Sequence, residues 1–221
     1  MKREVRRTQA ERRSETQTAI MKASLKLLVE AGYSGFSASG VAARAGVSRG
    51  AQEHYYPKKT DLIAAATKFA MATAVSHAEL VARRASASVD PIEKFLDSSQ
   101  EFFFSPVFMA MTEIIIAARS DRELAKIVHP IIKRSRKELD EIWTETLVEA
   151  GHSRDRARQF VELSHYLLRG VFFVSTWLPY EVDRAALVRA WRNLAPTALQ
   201  LELYNSKAGK NAADRVRLAS A

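Results

Sequence analysis

Turn-forming residues are scarce in this chain of 221 residues, which contains only eight glycines and six prolines. No segment alternates apolar and polar residues over the length that a half-buried strand needs. Apolar residues instead recur at three- and four-residue spacing, as in Leu124, Val128, Ile131 and Ile142. This spacing places side chains on one face of a helix, and the chain is therefore predicted to be all-α.

The chain contains no cysteine. Disulfide bonds, thiolate catalysis and cysteine-ligated zinc are therefore excluded, and a reducing compartment is favoured. The cations at the N-terminus are not followed by the apolar run of a signal peptide. The longest apolar runs, such as residues 171–174, are far shorter than the roughly 20 residues of a membrane span. We therefore expect a soluble, cytoplasmic protein with no membrane partner.

Positive charge is concentrated at the N-terminal end. The formal net charge is +9; residues 1–59 contain twelve Lys or Arg against five Asp or Glu, and residues 60–203 contain eighteen against nineteen. A basic segment joined to a nearly neutral body is typical of proteins that bind the nucleic acid backbone. A charged arm that only aids solubility would give the same distribution, so charge alone leaves both interpretations open.

Helix boundaries follow from capping residues, prolines and glycines. Gly32 is expected to end the first helix, and a long helix is expected from Lys59 to about Arg84. Pro130 is expected to kink a later long helix, and the last helix is expected to end near Tyr204. Further helix starts are predicted where a capping residue precedes an apolar stripe, at Asp90, Ser105, Ser153 and Asp183.

Two short helices are predicted in residues 39–45 and 48–55, with Ser37 and Ser48 as N-caps and Gly46 in the turn between them. This is a helix-turn-helix, which lays its second helix in the DNA major groove. The segment AGVSRGAQEHYYPKK combines small residues, which allow close approach, with rings and cations, which suit DNA. The residues that offer hydrogen bonds or rings are Arg49, Gln52, His54, Tyr55 and Tyr56, and Lys59 could meet a phosphate.

The segment from about Ile20 to Leu62 resembles the DNA-binding domain of the tetracycline-repressor (TetR) family of bacterial regulators. The resemblance is carried by LLVEAGYSGFSASGVAARAGVSRGAQEHYYPKKTDL. It implies an N-terminal three-helix helix-turn-helix domain followed by a C-terminal helical ligand-binding and dimerisation bundle. The expected divisions are a basic flexible arm in 1–15, the helix-turn-helix domain in 16–60, the bundle in 61–205 and a disordered basic tail in 206–221.

The resemblance also implies which residues bind DNA. The recognition helix would be residues 48–55, phosphates would meet Ser37, Arg44 and Lys59, and the arm would enter the neighbouring minor groove. The full set is Arg3, Arg6, Arg7, Ser37, Arg44, Ser48, Arg49, Gly50, Ala51, Gln52, Glu53, His54, Tyr55 and Lys59.

Two residues depart from the family pattern. The family usually has leucine, then tyrosine or another large residue, where this chain has Gln52 and Glu53. An acid that faces phosphates is repulsive, so Glu53 either reads a cytosine amino group, is held by a neighbour such as Arg49, or points to solvent.

The last two helices carry apolar residues on more than one face, which predicts that they are covered on both sides. A four-helix interface in a homodimer would cover them, as would a central position in the core of a monomer. The interface residues predicted for the dimer are Phe160, Leu163, Leu167, Val171, Val174, Leu187, Trp191, Leu194 and Ala198.

A ligand pocket is expected among aromatic and methionine side chains of the middle and penultimate helices, because such residues suit an apolar or aromatic ligand. Most of these residues would serve equally well as core, and their polar neighbours as bridges between helices. The candidate residues are Phe104, Phe108, Met109, Met111, Glu113, His129, His165, Arg169, Phe172, Phe173 and Trp177.

The resemblance implies a dimer that binds a palindromic double-stranded DNA operator and is released when a small-molecule effector favours another conformer. Two alternatives remain. One is an architectural DNA-binding protein without ligand control. The other is a helical-bundle metalloenzyme, because Glu149 and His152, and Glu162 and His165, have the spacing found in di-metal sites. No phosphate-binding glycine loop is present, and neither a cofactor nor an enzymatic activity is expected.

Overall fold

The structure, a computed structural model, describes residues 8–85, 90–178 and 183–200. Within these ranges every regular element is an α-helix, which confirms the all-α prediction. In chain order the helices are α1 (Gln9–Gly35), α2 (Ala38–Ala45), α3 (Arg49–Tyr55), α4 (Lys59–Ala85), α5 (Pro91–Phe103), α6 (Pro106–Ser120), α7 (Arg122–Glu149), α8 (Arg154–Trp177) and α9 (Arg184–Ala198). The expected helix end at Tyr204 and the tail 206–221 lie outside the described residues.

Helix α1 begins earlier than predicted. Thr8 is its N-cap: the Glu11 amide donates to Thr8 Oγ1 (3.2 Å), and the Thr8 amide donates to Glu11 Oε2 (2.7 Å). This capping box satisfies two amide donors that have no partner inside the helix. Residues 9–15 are therefore helical, and their assignment to a flexible arm is wrong.

Most predicted helix starts are confirmed by capping hydrogen bonds to the amide three residues on. Ser153 precedes α8 as predicted, but its side chain makes no such bond. Helix α7 continues through Pro130. The side chains that accept the bond are Ser37 (3.1 Å), Ser48 (3.1 Å), Asp90 (3.0 Å), Ser105 (3.1 Å) and Asp183 (2.8 Å).

The described residues form two compact units. The first extends to His77 and also includes Phe104–Glu138; the second contains Ala78–Phe103 and the described residues from Leu139 onwards. The sequence predicts a division at residue 60, whereas the first unit continues through most of α4 and takes in α6. The reason is that α6 packs along α1.

The core of the first unit is built from aliphatic side chains of its helices. Ile20 and Leu28 of α1, Val41 of α2, and Leu62 and Ile63 of α4 are fully buried. Burial of each such side chain contributes about 1.5–3 kcal/mol. These side chains pack α1, α2 and α4 against one another, and Gln52 is the buried residue of α3.

The core of the second unit is aromatic. The Phe95 ring meets the edges of Trp143 (centroids 5.4 Å apart) and Phe160 (5.6 Å), and Phe160 stacks on Trp191 at 5.8 Å with the planes 16° apart. Trp191 Nε1 donates to Ser164 Oγ at 2.9 Å, so its one polar group is satisfied. These contacts hold α5, α7, α8 and α9 together.

Among the described residues, no single helix is both long and apolar enough to cross a membrane. Helices α5 and α6 pass the same test only as a pair joined by a short break, on length and composition alone.

Candidate nucleic-acid interface

The turn between α2 and α3 depends on one glycine. Gly46 lies in the left-handed region (φ 67°, ψ 30°), and its amide donates to Ala43 O (3.3 Å). The next amide, of Val47, donates to Ala42 O (3.1 Å), which completes the helix end. Glycine has no Cβ to oppose this backbone conformation, so the chain reverses tightly before Ser48 starts α3.

Helix α3 presents one exposed face. Arg49, Gly50, Glu53 and His54 are exposed, and Ala51 is half-buried. A Cβ added at Gly50 would meet no atom within 4 Å. The backbone at the start of α3 is therefore open to close approach, as a recognition helix in the major groove requires.

Arg49 and Glu53 are joined within α3. Arg49 Nε donates to Glu53 Oε1 at 2.7 Å, and this hydrogen bond raises the pKa of the Arg49 guanidinium above its usual value. Of the alternatives for Glu53, contact with Arg49 is confirmed. The spacing of four residues places both side chains on the same side of the helix.

Aromatic and cationic groups meet at the end of α3. The edge of the His54 ring meets Tyr55 at 5.3 Å between centroids, and the Arg13 guanidinium lies over the Tyr55 ring at 5.8 Å. Arg13 is absent from the predicted DNA-binding set, which took only Arg3, Arg6 and Arg7 from the N-terminal arm. The helical repeat of α1, extended back to Gln9, is what brings it to this surface.

Gln52 does not face DNA, and its inclusion in the DNA-binding set is wrong. Its side chain is fully buried, and Nε2 donates to Tyr56 O at 2.6 Å. Its Oε1 has no hydrogen-bond partner. The resembling family usually has leucine at this position. An apolar residue there indicates the inner face of the helix, and this signal could have predicted that Gln52 is buried.

The Lys59 side chain makes its contacts with other residues of the first unit. Its Nζ donates to Tyr33 O (3.2 Å) and lies over the Tyr33 ring (4.3 Å) and the Phe36 ring (5.7 Å). Burial lowers the pKa of this ammonium. The ammonium therefore lies at the end of α1, where Tyr33 O also accepts from the Phe36 amide at 3.3 Å, and a phosphate contact of Lys59 remains a prediction.

The other residues predicted to bind phosphate have different surroundings in the structure. Ser37 is exposed, and its Oγ caps α2 by accepting from the Gly40 amide. Arg44 forms an ion pair with Glu30 of α1, which holds its guanidinium beside the first helix. A phosphate contact remains a prediction for both. Arg3, Arg6 and Arg7 lie outside the described residues.

Glu113, a predicted pocket residue, lies against α1. Its Oε2 accepts from the Tyr33 amide at 3.2 Å and is 3.0 Å from where a Cβ on Gly32 would stand. Gly32 breaks the helical conformation inside α1 (φ 63°, ψ −177°), which leaves the Tyr33 amide without a helical acceptor. The hydrogen bonds of Tyr33 to the side chains of Glu113 and Lys59 join α6 and α4 at this break.

Three other predicted pocket residues are exposed, so this chain by itself does not enclose them: His129, Phe173 (50% exposed) and Trp177 (62%). Each occupies the outer face of its helix, which apolar composition alone does not reveal. Phe104, Phe108 and Met109 are half-buried and Met111 is buried in the first unit, whereas Phe172 is buried in the second.

His165 is buried in the second unit as a bridge between helices. Its Nδ1 lies 2.8 Å from Asp140 Oδ1 and its Nε2 3.4 Å from Ser99 Oγ, with the rings of Phe95 and Phe103 beside it. Arg169, one turn on, lies over the Phe103 ring at 5.2 Å. Within the described ranges, no three His, Asp or Glu side chains are grouped so as to hold a metal ion.

The predicted dimer set divides between core and surface. Phe160, Trp191 and Ala198 are buried within their own unit, so their assignment to an interface is wrong. Leu163 and Leu167 are half-buried against that core, and Val171 and Val174 are half-buried. Only Leu187 and Leu194 of the set are exposed. Tyr166 is exposed, as Phe173 and Trp177 are, but it belongs to neither of the apolar stripes predicted for this helix and is absent from the predicted set.

Comparison with known proteins supplies the family. Residues 20–66 match the model of bacterial regulatory proteins of the tetR family. The HTH-type transcriptional regulator CymR of Pseudomonas putida is 35% identical over 172 residues, which cover 78% of this chain and 85% of CymR. This chain belongs to the TetR family. It is accordingly a DNA-binding transcriptional regulator, and the helix-turn-helix of the first unit is the family's DNA-binding element.

Solved structures share the TetR-family fold at low identity. A TetR-family transcriptional regulator from Mesorhizobium loti aligns with a TM-score of 0.69 at 14% identity, covering 88% of this chain and 98% of its own. FadR of Bacillus subtilis, solved in complex with stearoyl-CoA, aligns with a TM-score of 0.60 at 20% identity, covering 80% and 96%. The segment matched by the TetR family model contains α2 and α3 with the flanking parts of α1 and α4.

Proposed function

We propose that this protein is a repressor that binds a palindromic operator as a homodimer and is released by a small apolar or aromatic effector. The proposal rests on the exposed face of α3, where the side chains of Arg49 and His54 are open to solvent on a packed three-helix domain. In such a domain the N-terminal residues of the recognition helix contact base edges. The protein would act in the cytoplasm, where its DNA lies.

The exposed face of α8 supports dimerisation. Tyr166, Gly170, Phe173 and Trp177 follow one another at spacings of four, three and four residues, so they share one side of the helix. Large exposed apolar patches commonly mark protein interfaces, and closed two-fold dimers are the commonest assembly. We infer that a second copy of the chain covers this face. The two recognition helices would then stand one DNA turn apart, about 34–36 Å.

The contacts of Tyr33 support a route for effector control. Glu113 of α6 and Lys59 of α4 bind the two sides of this one residue at the break in α1. A ligand that binds one arrangement of α6 better than another would shift the protein between operator-binding and released conformers, by no more than its difference in affinity. The stearoyl-CoA bound to FadR of B. subtilis joins a long apolar acyl chain to a charged coenzyme A group, and its acyl chain is the part that favours an apolar effector here.

We expect the purified protein to form a discrete complex with DNA flanking its own gene, and excess random DNA should not remove it. Affinity should fall steeply with salt, by about 10³–10⁵ between 50 and 200 mM for six to ten phosphate contacts, because each contact releases counterions. A mobility-shift titration at several salt concentrations measures both quantities. Equal competition by random DNA would instead favour an architectural DNA-binding protein, and adding stearoyl-CoA or small aromatic compounds to the complex tests release.

Phe173→Glu should convert the dimer to monomers at micromolar concentration, because it places a charge in the centre of the proposed apolar interface. The secondary structure should be unchanged, since the side chain is half exposed within its own chain. Leu80→Glu in α4, where leucine is 44% exposed, is the matched control and should remain dimeric. Mass measurement by light scattering decides between them. A dimeric Phe173→Glu variant would move the interface to another face.

A further inference from the structure

The hydrogen bond between Arg49 and Glu53 lies on the part of α3 that is best placed to meet base edges. Arg49 is the first residue of the helix, and its side chain is 76% exposed, against 45% for Glu53. A salt bridge this exposed adds little to the stability of a fold. Glu53 also adds a negative charge to a surface that approaches phosphates, so its presence calls for a role other than stability or general attraction to DNA.

The geometry of the pair leaves the two terminal nitrogens of the Arg49 guanidinium available to DNA. A guanidinium has five N–H groups, and Glu53 accepts from the one on Nε. The four N–H groups on the two terminal nitrogens project beyond this bond. Such a pair of terminal donors can bind O6 and N7 of guanine bidentately in the major groove, which is the commonest specific contact of arginine with DNA.

Glu53 restrains a side chain that would otherwise lose many rotamers on binding. An arginine that is already held in an extended position loses less freedom when it docks, so affinity rises for the base that it fits. The same carboxylate repels the phosphates of every sequence and so lowers the affinity for random DNA. The restraint on Arg49 increases the difference between the correct sequence and the others, which is how specificity is defined.

We propose that Arg49 and Glu53 act as one unit that reads a guanine in each operator half-site, with Glu53 as the positioning residue for the Arg49 guanidinium. The inference rests on the operator-binding function proposed above and adds the base that the recognition helix selects. Glu53 need not touch DNA in this scheme, because its Oε1 is already the acceptor for Arg49 Nε.

Three substitutions separate the acceptor role of Glu53 from its charge. A DNA library is used to select binding sites for the unsubstituted protein and for its Arg49→Ala, Glu53→Ala and Glu53→Gln variants. The affinity of each protein is then measured for three DNAs: the selected site, the same site with its guanine changed, and random DNA. The full-length protein is used throughout. Since both side chains are exposed, thermal unfolding should be unchanged, and this is checked for each variant.

Arg49→Ala should lose about 10- to 100-fold of the preference for guanine at one position of each half-site, the value of a bidentate contact. Glu53→Ala should lose about 2- to 10-fold of the same preference, because the Arg49 side chain would then lose its conformational freedom on binding. Its affinity for random DNA should rise at the same time. Glu53→Gln keeps a carbonyl oxygen that can accept from Nε, so it should gain affinity for random DNA while retaining most of the guanine preference.

Helix α7 offers a matched control. Arg134 Nε donates to Glu138 Oε1 at 3.0 Å, with the same four-residue spacing, and the two side chains are 83% and 41% exposed. Glu138→Ala removes the same charge from an equivalent pair outside the recognition helix. It should leave the guanine preference as it is in the unsubstituted protein.

The outcomes distinguish this proposal from the function on which it rests. A guanine preference that survives Arg49→Ala, or one that Glu53→Ala leaves intact while affinity for every sequence rises equally, would overturn the role of the pair and leave operator binding in place. If the unsubstituted protein selects no sequence from the library, the operator proposal fails, and this one fails with it.

Discussion

Gly32→Ala should lower the free energy of unfolding by about 2–6 kcal/mol, one of the two largest effects expected of a single substitution here. Gly32 has φ 63° and ψ −177°, a conformation that is essentially restricted to glycine. A side chain in such a region costs about 1–3 kcal/mol in backbone strain alone. The alanine methyl group would also stand 3.0 Å from Glu113 Oε2 and would displace that carboxylate.

Displacing Glu113 removes the acceptor of the Tyr33 amide, whose only described hydrogen bond is the one to this carboxylate. A partly buried amide left without an acceptor costs about 1–3 kcal/mol, which adds to the strain. Because the break at Gly32 is where α6 meets α1, operator affinity should fall together with stability. Denaturant unfolding and the mobility-shift assay measure the two effects.

Gly46→Ala provides the control for Gly32→Ala. Gly46 also has a positive φ, but a Cβ there would meet no atom within 4 Å. Its substitution should therefore cost only the left-handed backbone term, about 1–2 kcal/mol. Equal losses at the two glycines would show that contact with Glu113 contributes nothing to the effect at Gly32.

Trp191→Ala should lower the free energy of unfolding by about 3–5 kcal/mol, as expected for removal of a fully packed aromatic side chain. Trp191 is 8% exposed, stacks on Phe160, and donates to Ser164 Oγ. Its removal leaves a cavity in the centre of the second unit and takes away the donor to a buried hydroxyl. The loss should not depend on protein concentration, because the contacts lie within one chain.

Trp177→Ala is the contrasting substitution. This side chain is 62% exposed on the outer face of α8, so its removal should leave the fold of the single chain intact and weaken only the proposed dimer. Unfolding followed at two protein concentrations separates the cases, with Trp143 as the fluorescent reporter common to both variants. If Trp191→Ala is tolerated as well as Trp177→Ala, the second unit is not built around the aromatic core described above.

The order of the helices and the helix-turn-helix were predictable because their signals are local. Ser37 and Ser48 cap helices by bonding amides three residues away, and Gly46 permits the turn through its own backbone. The capping box of Thr8 and Glu11 was also readable from sequence, yet the cations around it favoured a flexible arm. The arm was predicted from its charge alone, although this local capping pattern agrees with the helix that the structure shows.

The sequence by itself determined the all-α fold, the helix-turn-helix and its exposed cation on α3, since each depends on residues within one or two turns of one another. Only the tertiary structure decided that Gln52 and Trp191 are buried, that Lys59 binds Tyr33, and that Glu113 lies against Gly32. The periodicity of α8 shows two apolar faces, but which one the same chain covers depends on its packing against α5, far away in sequence, and against the following helix α9. A helical repeat specifies which side chains share a face, and only the packing of distant helices specifies what lies against that face.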